Sequence, residues 1–353
     1  MISFDEAMAL VRDTITPLDT EAIRLADAAG RTLAEDVVAN LPSPRNTMSA
    51  MDGYAVVMDA VAPGAALRVA GEARPGSPHN APIAKGEVVR IFTGAPVPQG
   101  ADCVIMQEYA ERDGDTVRFA EGFGPARHIR MQGSDFAKGD VLLPKGTKLN
   151  PQSLVAAAAA DLAEVRVHRR PRVALLATGD ELAEPGAASN DPYAIPESIS
   201  LSLAAQVDCE GGAVTGRHRA RDDLPALEKQ AADLLAAADL VVVTGGASVG
   251  ERDFAKPMFA PHGLEPIFEK VAVKPGKPVW LGRAADKLVL GLPGNPTSAM
   301  VTARLFLQPI LAMMQGGAGT HAWRRMALSG HLPATVDRET FARATWEEDG
   351  LRP

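Results

Sequence analysis

The stretch Val241-Val242-Val243-Thr244-Gly245-Gly246-Ala247-Ser248-Val249-Gly250-Glu251-Arg252-Asp253-Phe254 decides the fold of this chain. Consecutive valines are typical of a buried strand, and this strand runs directly into a glycine-rich turn that ends in acidic residues. Glycine lets the backbone bend sharply and brings its N–H groups close to a bound phosphate. The pattern predicts an anion-binding loop at the mouth of a strand, against the alternative of a simple structural turn.

Two more loops rich in glycine and proline follow, Lys274–Pro278 and Gly291–Pro296, each next to a predicted strand. Ligands of open α/β sheets bind where the carboxyl ends of the strands meet, so three such loops favour one ligand pocket at that edge. The first loop lacks the Gly-Lys-Ser/Thr ending of a Walker A motif and the G-x-G-x-x-G spacing of a dinucleotide fingerprint. The pattern therefore indicates an anionic ligand that neither standard nucleotide motif explains.

Charged side chains near these loops are candidates for binding and catalysis. Lys270, Lys274 and Lys277 surround a proline-fixed turn and suit phosphate or another oxyanion, although lysines at a solvated sheet edge are the common alternative. The segment Thr178-Gly179-Asp180-Glu181 ends the first strand of the α/β part. Its carboxylates suit Mg²⁺ or acid–base chemistry, whereas Asp180 alone also fits a simple turn.

Composition limits the function classes. The chain has 353 residues, 46% of them hydrophobic, which indicates a globular protein of several domains. The net charge of −8 argues against a nucleic-acid partner. Cys103 and Cys209 fit no zinc or redox spacing, and neither a secretory signal nor a membrane-spanning run is visible, so we expect a cytoplasmic protein with no membrane association.

The distribution of patterns predicts an α/β multidomain fold. Amphipathic patterns predict helices over 3–15 and 20–37, and an alanine-rich one predicts a helix over 151–163. From 172 onward, strands alternate with helices, which predicts a mostly parallel sheet. The predicted domains are a helical linking region (1–45 and 140–170), a small β-rich domain (46–139), an α/β domain (171–316) and a partial C-terminal β domain (317–353).

Seven motifs occur in one order along the chain, and together they resemble the molybdopterin molybdenumtransferases, the family related to the gephyrin E-domain. These motifs are Ser49–Val56, Arg90–Pro98, Ile129–Asp135, Ala177–Leu182, Thr244–Asp253, Val273–Pro278 and Gly291–Ala299. Taken alone, the Asp-Gly of the first motif is most often a hairpin turn.

The resemblance implies a reaction in which molybdate joins adenylated molybdopterin with the help of Mg²⁺, releasing AMP and the molybdenum cofactor. It also implies an elongated subunit whose α/β domain (171–316) is of the molybdopterin-binding type. The same resemblance implies a homodimer in which the β-rich domain of one chain closes over the pocket of the other. A molybdopterin adenylyltransferase is an expected partner, since such an enzyme makes the adenylated substrate.

The resemblance and the loop patterns together assign the candidate site residues. The catalytic candidates are Asp52, Thr93, Glu181 and Asp222. The metal-binding candidates are Asp135, Glu181 and Asp253. The substrate-binding candidates are Thr178, Gly179, Gly245, Gly246, Ser248, Lys270, Lys274, Lys277, Pro293, Asn295 and Pro296.

Two departures from the family pattern stand out. Ile195-Pro196-Glu197-Ser198-Ile199 replaces a run that normally ends in asparagine, so one pocket contact differs. The C-terminal barrel of the family continues for some tens of residues beyond the point where this sequence stops. We therefore expect the segment after residue 316 to be frayed or packed on a neighbour, and dispensable for thermal stability.

Two other functions compete with the enzyme. A non-catalytic molybdopterin-binding or scaffold protein would keep the same glycine loops, whereas the acids Asp52, Glu181 and Asp253 favour turnover. A dehydrogenase on a nucleotide fold is disfavoured because no G-x-G-x-x-G motif is present.

Overall fold

The computed structural model describes residues 1–245, 253–332, 337–348 and 350–352. Its helices are α1 Phe4–Thr14, α2 Pro151–Ala159, α3 Ile199–Cys209, α4 Leu224–Ala237, α5 Pro296–Thr302 and α6 Gln308–Met314. A π-helical turn, Ala303–Leu307, joins the last two.

The strands in the first half of the chain are short and closely spaced. They are β1 Thr20–Arg24, β2 Val37–Val38, β3 Met48–Ser49, β4 Gly53–Val56, β5 Leu67–Ala73, β6 Glu87–Ile91, β7 Cys103–Met106, β8 Ala110–Asp113, β9 Thr116–Phe119, β10 Ile129–Arg130, β11 Val141–Leu143 and β12 Glu164–His168. The strands in the second half are β13 Arg172–Thr178, β14 Leu182–Ala183, β15 Ile195–Pro196, β16 Ala213–Ala220, β17 Leu240–Thr244, β18 Glu265–Phe268, β19 Val273–Lys274, β20 Trp280–Ala284, β21 Lys287–Leu292, β22 Glu339–Thr340, β23 Thr345–Glu347 and β24 Gly350–Arg352.

The chain divides into two compact units. The α/β unit contains Met1–Glu35, Pro144–Pro151 and Glu164–Pro353, and the β unit contains Asp36–Leu143 and Gln152–Ala163. The β unit is built on a six-stranded sheet in the order β7-β4-β6-β5-β9-β8, in which only the β5–β6 pair is parallel. Its buried side chains include Tyr54, Val88 and Phe119.

The α/β unit is built on a six-stranded sheet in the order β16-β13-β17-β21-β20-β18. The first four strands are parallel to one another, β20 is antiparallel to β21, and β18 is antiparallel to β20. The predicted mostly parallel α/β sheet is therefore confirmed. Alternate residues of β13 enter different cores, Leu175 with α3 on one face and Leu176 with α4 on the other. This alternation is what a strand covered on both faces requires.

Helices α3 and α4 match the predicted segments, and Asp223 caps α4 by accepting a hydrogen bond from the Ala226 amide. Pro296–Met314 forms one helical stretch of 19 residues that is long and apolar enough to span a membrane, yet 61% of its most apolar part is buried. Side chains such as Phe306 and Ile310 lie in the core cluster on one face of the sheet. The stretch is therefore a core helix of the α/β unit.

Three sequence-based element predictions were wrong. Residues 20–37, predicted as a helix, instead begin with strand β1, which pairs with β12 and is followed by a short 3₁₀ turn. Pairing with β12 overrides the weak helical pattern of this segment. The single strand predicted over 268–273 is divided between β18 and β19. Strand β20 was missed, because its hairpin to β21 turns on Ala285 and Asp286, two residues with positive φ and no glycine signal.

The segment after residue 316 packs on the α/β core, which is the second of the two expected arrangements, a frayed end or packing on a neighbour. Strand β22 extends β19 in a parallel pair, and the Phe341 amide donates to the Lys274 carbonyl at 2.8 Å. Two aromatic rings of the C-terminal segment contact α1. The ring centroid of Phe4 lies 5.3 Å from that of Phe341 and 6.3 Å from that of Trp323. The segment thus covers part of the core that α1 also covers.

We expect Phe341→Ala to destabilise the protein by roughly 1 to 3 kcal/mol, because it deletes a partly buried ring from this cluster. The matched control is Trp346→Ala, since Trp346 is 69% exposed and should matter by at most about 0.5 kcal/mol. Thermal unfolding of both variants beside the parent measures the difference. Equal melting temperatures for the two variants would mean that the C-terminal segment does not contribute to the core.

Candidate functional site

The register of the parallel strands aligns the loops that carry the candidate residues. Ala177 of β13 pairs with Thr244 of β17, and Thr244 pairs with Leu292 of β21. The three strands therefore end at one level, and the loops that follow them meet at the carboxyl edge of the sheet.

A cavity of about 300 Å³ lies at this edge. Its lining comes from the three strand ends and from the segment that precedes α3: Ala177, Thr178, Glu181, Leu182, Ile195, Pro196, Glu197, Ser198, Ile199, Thr244, Gly245, Gly294, Asn295 and Pro296. Thr178, Glu181, Gly245, Asn295 and Pro296 were predicted as site residues and meet here. Ile195–Ser198 were not among the candidate site residues, although the sequence analysis placed a pocket contact in this segment.

Glycine is needed where the loops approach each other most closely. Gly245 has φ +94°, and a Cβ there would collide with the carbonyl oxygen of Thr178. A Cβ at Gly294 would lie 3.3 Å from the Cα of Gly245. A Cβ at Gly179 would lie 2.7 Å from Oε2 of Glu181, so the Glu181 carboxylate packs against the backbone of the loop that follows β13.

Asp222 and Asp253 are the other candidate acids of the α/β unit, and neither is among the lining residues of the 300 Å³ cavity. The Asp222 amide donates to Oδ1 of Asp180 at 3.3 Å, which joins the turn after β16 to the turn after β13. Burial raises the pKa of Asp253, and this outweighs the hydrogen bond from the Ala255 amide. Gly246 and Ser248 fall outside the described residues.

The three candidate lysines flank the turn between β18 and β20. Lys270, Lys274 and Lys277 are all exposed, and the Val271 amide donates to the Lys277 carbonyl at 3.1 Å. Lys274 belongs to β19. None of the three is among the lining residues of the 300 Å³ cavity.

The third loop has a structural role as well. Asn295 caps α5, since its Oδ1 accepts a hydrogen bond from the Ser298 amide at 3.2 Å, and Pro296 occupies the first helical turn. Pro293 is buried next to the end of β21.

A larger cavity of about 750 Å³ adjoins the first and shares Pro296 with it. One wall is the helical stretch that starts at Pro296, and the other is the C-terminal segment with His321, Trp323 and Arg343. The sequence analysis did not predict this cavity, because no local pattern shows which part of the core the C-terminal segment contacts.

In the β unit, Asp52 and Thr93 form a pair. Oδ1 of Asp52 accepts hydrogen bonds from the amide and from Oγ1 of Thr93, both at 2.7 Å. These bonds, the amide first, hold the pKa of Asp52 below its usual value. The carboxylate is therefore ionised at neutral pH.

Asp135, also in the β unit, is held by other side chains. Arg130 donates to both carboxylate oxygens, at 2.6 and 2.7 Å, and the Ser43 hydroxyl donates to Oδ2 at 3.1 Å. The bonds from Arg130 in particular lower the pKa of Asp135. Its oxygens thus already have partners within the β unit.

Within the described residues, no three His, Cys, Asp or Glu side chains are grouped so as to hold a metal ion. Mg²⁺ commonly binds one or two carboxylates and completes its shell with water and substrate phosphates. Glu181, which faces the cavity, fits that mode of binding. The α/β unit is thus suited to a metal that arrives with a phosphate ligand.

We expect Gly245→Ala to destabilise the protein by roughly 2 to 4 kcal/mol, because a side chain there meets both an unfavourable φ and the Thr178 carbonyl. Gly263→Ala is the matched control: φ is +72° and no heavy atom lies within 4 Å of a Cβ there. The control should lose only about 1 kcal/mol, from backbone strain. Urea denaturation compares the two, and equal losses would show that the loops tolerate a wider separation.

Two family models match the chain. Residues 2–160 match the MoeA N-terminal region, domains I and II, and residues 174–313 match a probable molybdopterin binding domain. The second match contains every lining residue of the 300 Å³ cavity.

Curated proteins and a solved structure are similar over most of their length. The molybdopterin molybdenumtransferase of Haemophilus influenzae is 38% identical over 320 residues, which cover 90% of this chain and 78% of that protein. Molybdopterin molybdenumtransferase 2 of Mycobacterium tuberculosis is 36% identical, with 98% and 87% covered. The molybdopterin biosynthesis moeA protein of Pyrococcus horikoshii superposes with a TM-score of 0.83 at 28% identity, covering 100% of this chain and 89% of that one. With this identity and coverage, the chain belongs to the molybdopterin molybdenumtransferase family.

Proposed function

We propose that this chain is a transferase of molybdenum cofactor biosynthesis, which inserts molybdenum from molybdate into adenylated molybdopterin and releases AMP. The observation that carries the proposal is the cavity where Thr178, Glu181, Gly245 and Asn295 meet, in a chain 38% identical to a molybdopterin molybdenumtransferase. The proposed substrates are an oxyanion and a phosphate ester, which suit a site of backbone amides, hydroxyls and lysines.

The glycine loops and the exposed lysines have different proposed roles in substrate binding. Gly245 and Gly294 allow the backbone to come close to the phosphates, and the Thr178 hydroxyl is available to bind them. The exposed Lys270, Lys274 and Lys277 attract the dianionic molybdate and the phosphates toward this edge of the sheet.

Mg²⁺ is the proposed metal, held by Glu181 and Asp253 together with substrate phosphate oxygens. When bound, it supplies positive charge that polarises the phosphate linkage to the adenylate. Burial raises the pKa of Asp253, and a bound cation would favour its ionised form. Asp135 is the weaker candidate, since Arg130 and Ser43 already occupy its oxygens.

Asp52 is the proposed acid–base group. Its low pKa keeps it ionised, and Oδ2 accepts no hydrogen bond from the described part of the chain, so this oxygen is free to accept a proton or to orient water. Thr93 fixes the other oxygen. Asp222 is proposed to orient the turn beside Glu181 through its contact with Asp180.

We further propose a cytoplasmic homodimer in which the β unit of one protomer completes the cavity of its partner. A two-fold pairing would bring Asp52 and Thr93 of one chain to the Glu181 side of the other, twice per dimer. The proposed supplier of the adenylated substrate is a molybdopterin adenylyltransferase.

Asp52→Asn and Glu181→Gln are each expected to slow AMP release by roughly 100-fold or more, because they remove a group from the reacting centre. The assay contains adenylated molybdopterin, molybdate and Mg²⁺. The matched controls are Asp59→Asn in the β unit and Glu184→Gln in the α/β unit, two exposed acids that should leave the rate unchanged. A parent protein that binds the substrate without releasing AMP would favour the non-catalytic scaffold instead.

Mixing the inactive Asp52→Asn and Glu181→Gln proteins should restore activity if the pocket is shared. Random exchange makes about half of the dimers mixed, each with one intact pocket, so about a quarter of the parent activity is expected. Subunit exchange is verified by native mass spectrometry with one isotope-labelled partner. No recovery in a verified mixture would mean that each pocket is built from a single chain.

A further inference from the structure

Arg90 makes contacts on both sides of the Asp52–Thr93 pair. It lies in β6, directly opposite Tyr54 of β4. Its Nη1 donates to the carbonyl oxygen of Gly53 at 2.9 Å, and its Nη2 donates to Oε1 of Gln107 at 2.6 Å. One end of the guanidinium is thus bonded to the residue that follows Asp52.

The same guanidinium stacks on two aromatic rings. Its Cζ lies 4.6 Å from the ring centroid of Phe92 and 5.3 Å from that of Tyr54. Phe92 immediately precedes Thr93, and a second cation, Arg74, lies 5.2 Å from the Phe92 centroid. Arg90 therefore contacts the residue before Thr93 as well as the residue after Asp52.

The Asp52–Thr93 pair lies just beyond the end of the β4–β6 ladder, whose last paired residues are Gly53 and Ile91. Backbone hydrogen bonds hold the surrounding chain, since the Gln107 amide donates to the Asp52 carbonyl at 3.0 Å and the Gly94 amide donates to the Ser49 carbonyl at 2.9 Å. Arg90 adds side-chain contacts, through a planar and rigid group, to the residues on either side of the pair.

We propose that Arg90 is a positioning residue for molybdenum transfer: it holds the Gly53 carbonyl and the Phe92 ring in a fixed relation, so that Thr93 occupies one oxygen of Asp52 and the other faces the reaction. The inference rests on the proposed role of Asp52. Arginine is required because its planar guanidinium donates hydrogen bonds and stacks at the same time, whereas lysine offers a point charge.

Arg90→Gln and Arg90→Lys are expected to lower kcat for AMP release by roughly 10- to 100-fold and to change KM by less than about 3-fold, because a small misplacement affects the reacting group more than binding. A role of the charge alone would be rescued by lysine, whereas a positioning role is not. The matched control is Arg74→Gln, which removes the other cation on Phe92 and should change kcat by less than about 2-fold.

A double-mutant cycle tests whether Arg90 acts through Asp52. The Asp52→Asn/Arg90→Gln protein should be no slower than Asp52→Asn alone, to within about 2-fold, since the group that Arg90 positions is already lost. The amide proton of Thr93, measured by NMR in the full chain, should exchange faster with solvent in Arg90→Gln than in Arg74→Gln. If Arg90→Gln does not fold, Arg90→Lys and Phe92→Leu take its place in both measurements.

The outcomes separate the two proposals. If Asp52→Asn is slow but Arg90→Gln and Arg90→Lys retain the parent kcat, the positioning role of Arg90 is wrong and the role of Asp52 stands. Multiplicative losses in the double mutant, or full rescue by lysine, also overturn the positioning role. If Asp52→Asn retains full activity, the acid–base proposal fails, and the inference about Arg90 fails with it.

Discussion

The backbone register of three parallel strands is the constraint on which the α/β unit depends. Because Ala177, Thr244 and Leu292 lie at one level of the sheet, the loops that follow them lie side by side at its carboxyl edge. A shift of one residue in any of these strands would turn its side chains to the opposite face, and the two cores would lose their packing. The burial of those cores therefore holds the cavity in place.

The β unit positions its candidate site residues, Asp52 and Thr93, in a different way. Asp52 and Thr93 lie just beyond the end of the β4–β6 ladder. Two hydrogen bonds at 2.7 Å join them, and the Gln107 amide donates to the Asp52 carbonyl at 3.0 Å. The α/β unit thus aligns its residues through strand register, whereas the β unit combines backbone hydrogen bonds with contacts of the Asp52 and Arg90 side chains.

The sequence predicts the parts of the molecule that local patterns determine. The valine strand that enters Gly245, the alternation from residue 172 onward and the family motifs lead to the correct fold, and to a cavity edge containing Thr178, Glu181 and Pro296. Strand β1 and the hairpin at Ala285 and Asp286 depend on partners distant in sequence or on unusual φ values, which short patterns do not reveal.

The place where the C-terminal segment packs was not predicted, for a similar reason. Its short strands are too few to form a core, but Phe341 packs against a core that already exists, and the exposed Trp323 contacts the Phe4 ring. Contacts with Phe4 join residues from opposite ends of the chain, and no local pattern encodes such a contact. The lining by Ile195–Ser198 likewise depends on where β13 places the preceding loop.

The N-terminal helix has a consequence for how this protein is made. Phe4 packs against Phe306 at 5.7 Å between ring centroids, and the Ile2 amide bonds to the Lys270 carbonyl at 3.1 Å. Helix α1 therefore gains its Phe306 partner only after about 300 further residues have been synthesised, roughly 15 to 60 s at ordinary elongation rates. During that interval the apolar face of α1 has no native partner, which makes this helix a natural client for a chaperone on the nascent chain.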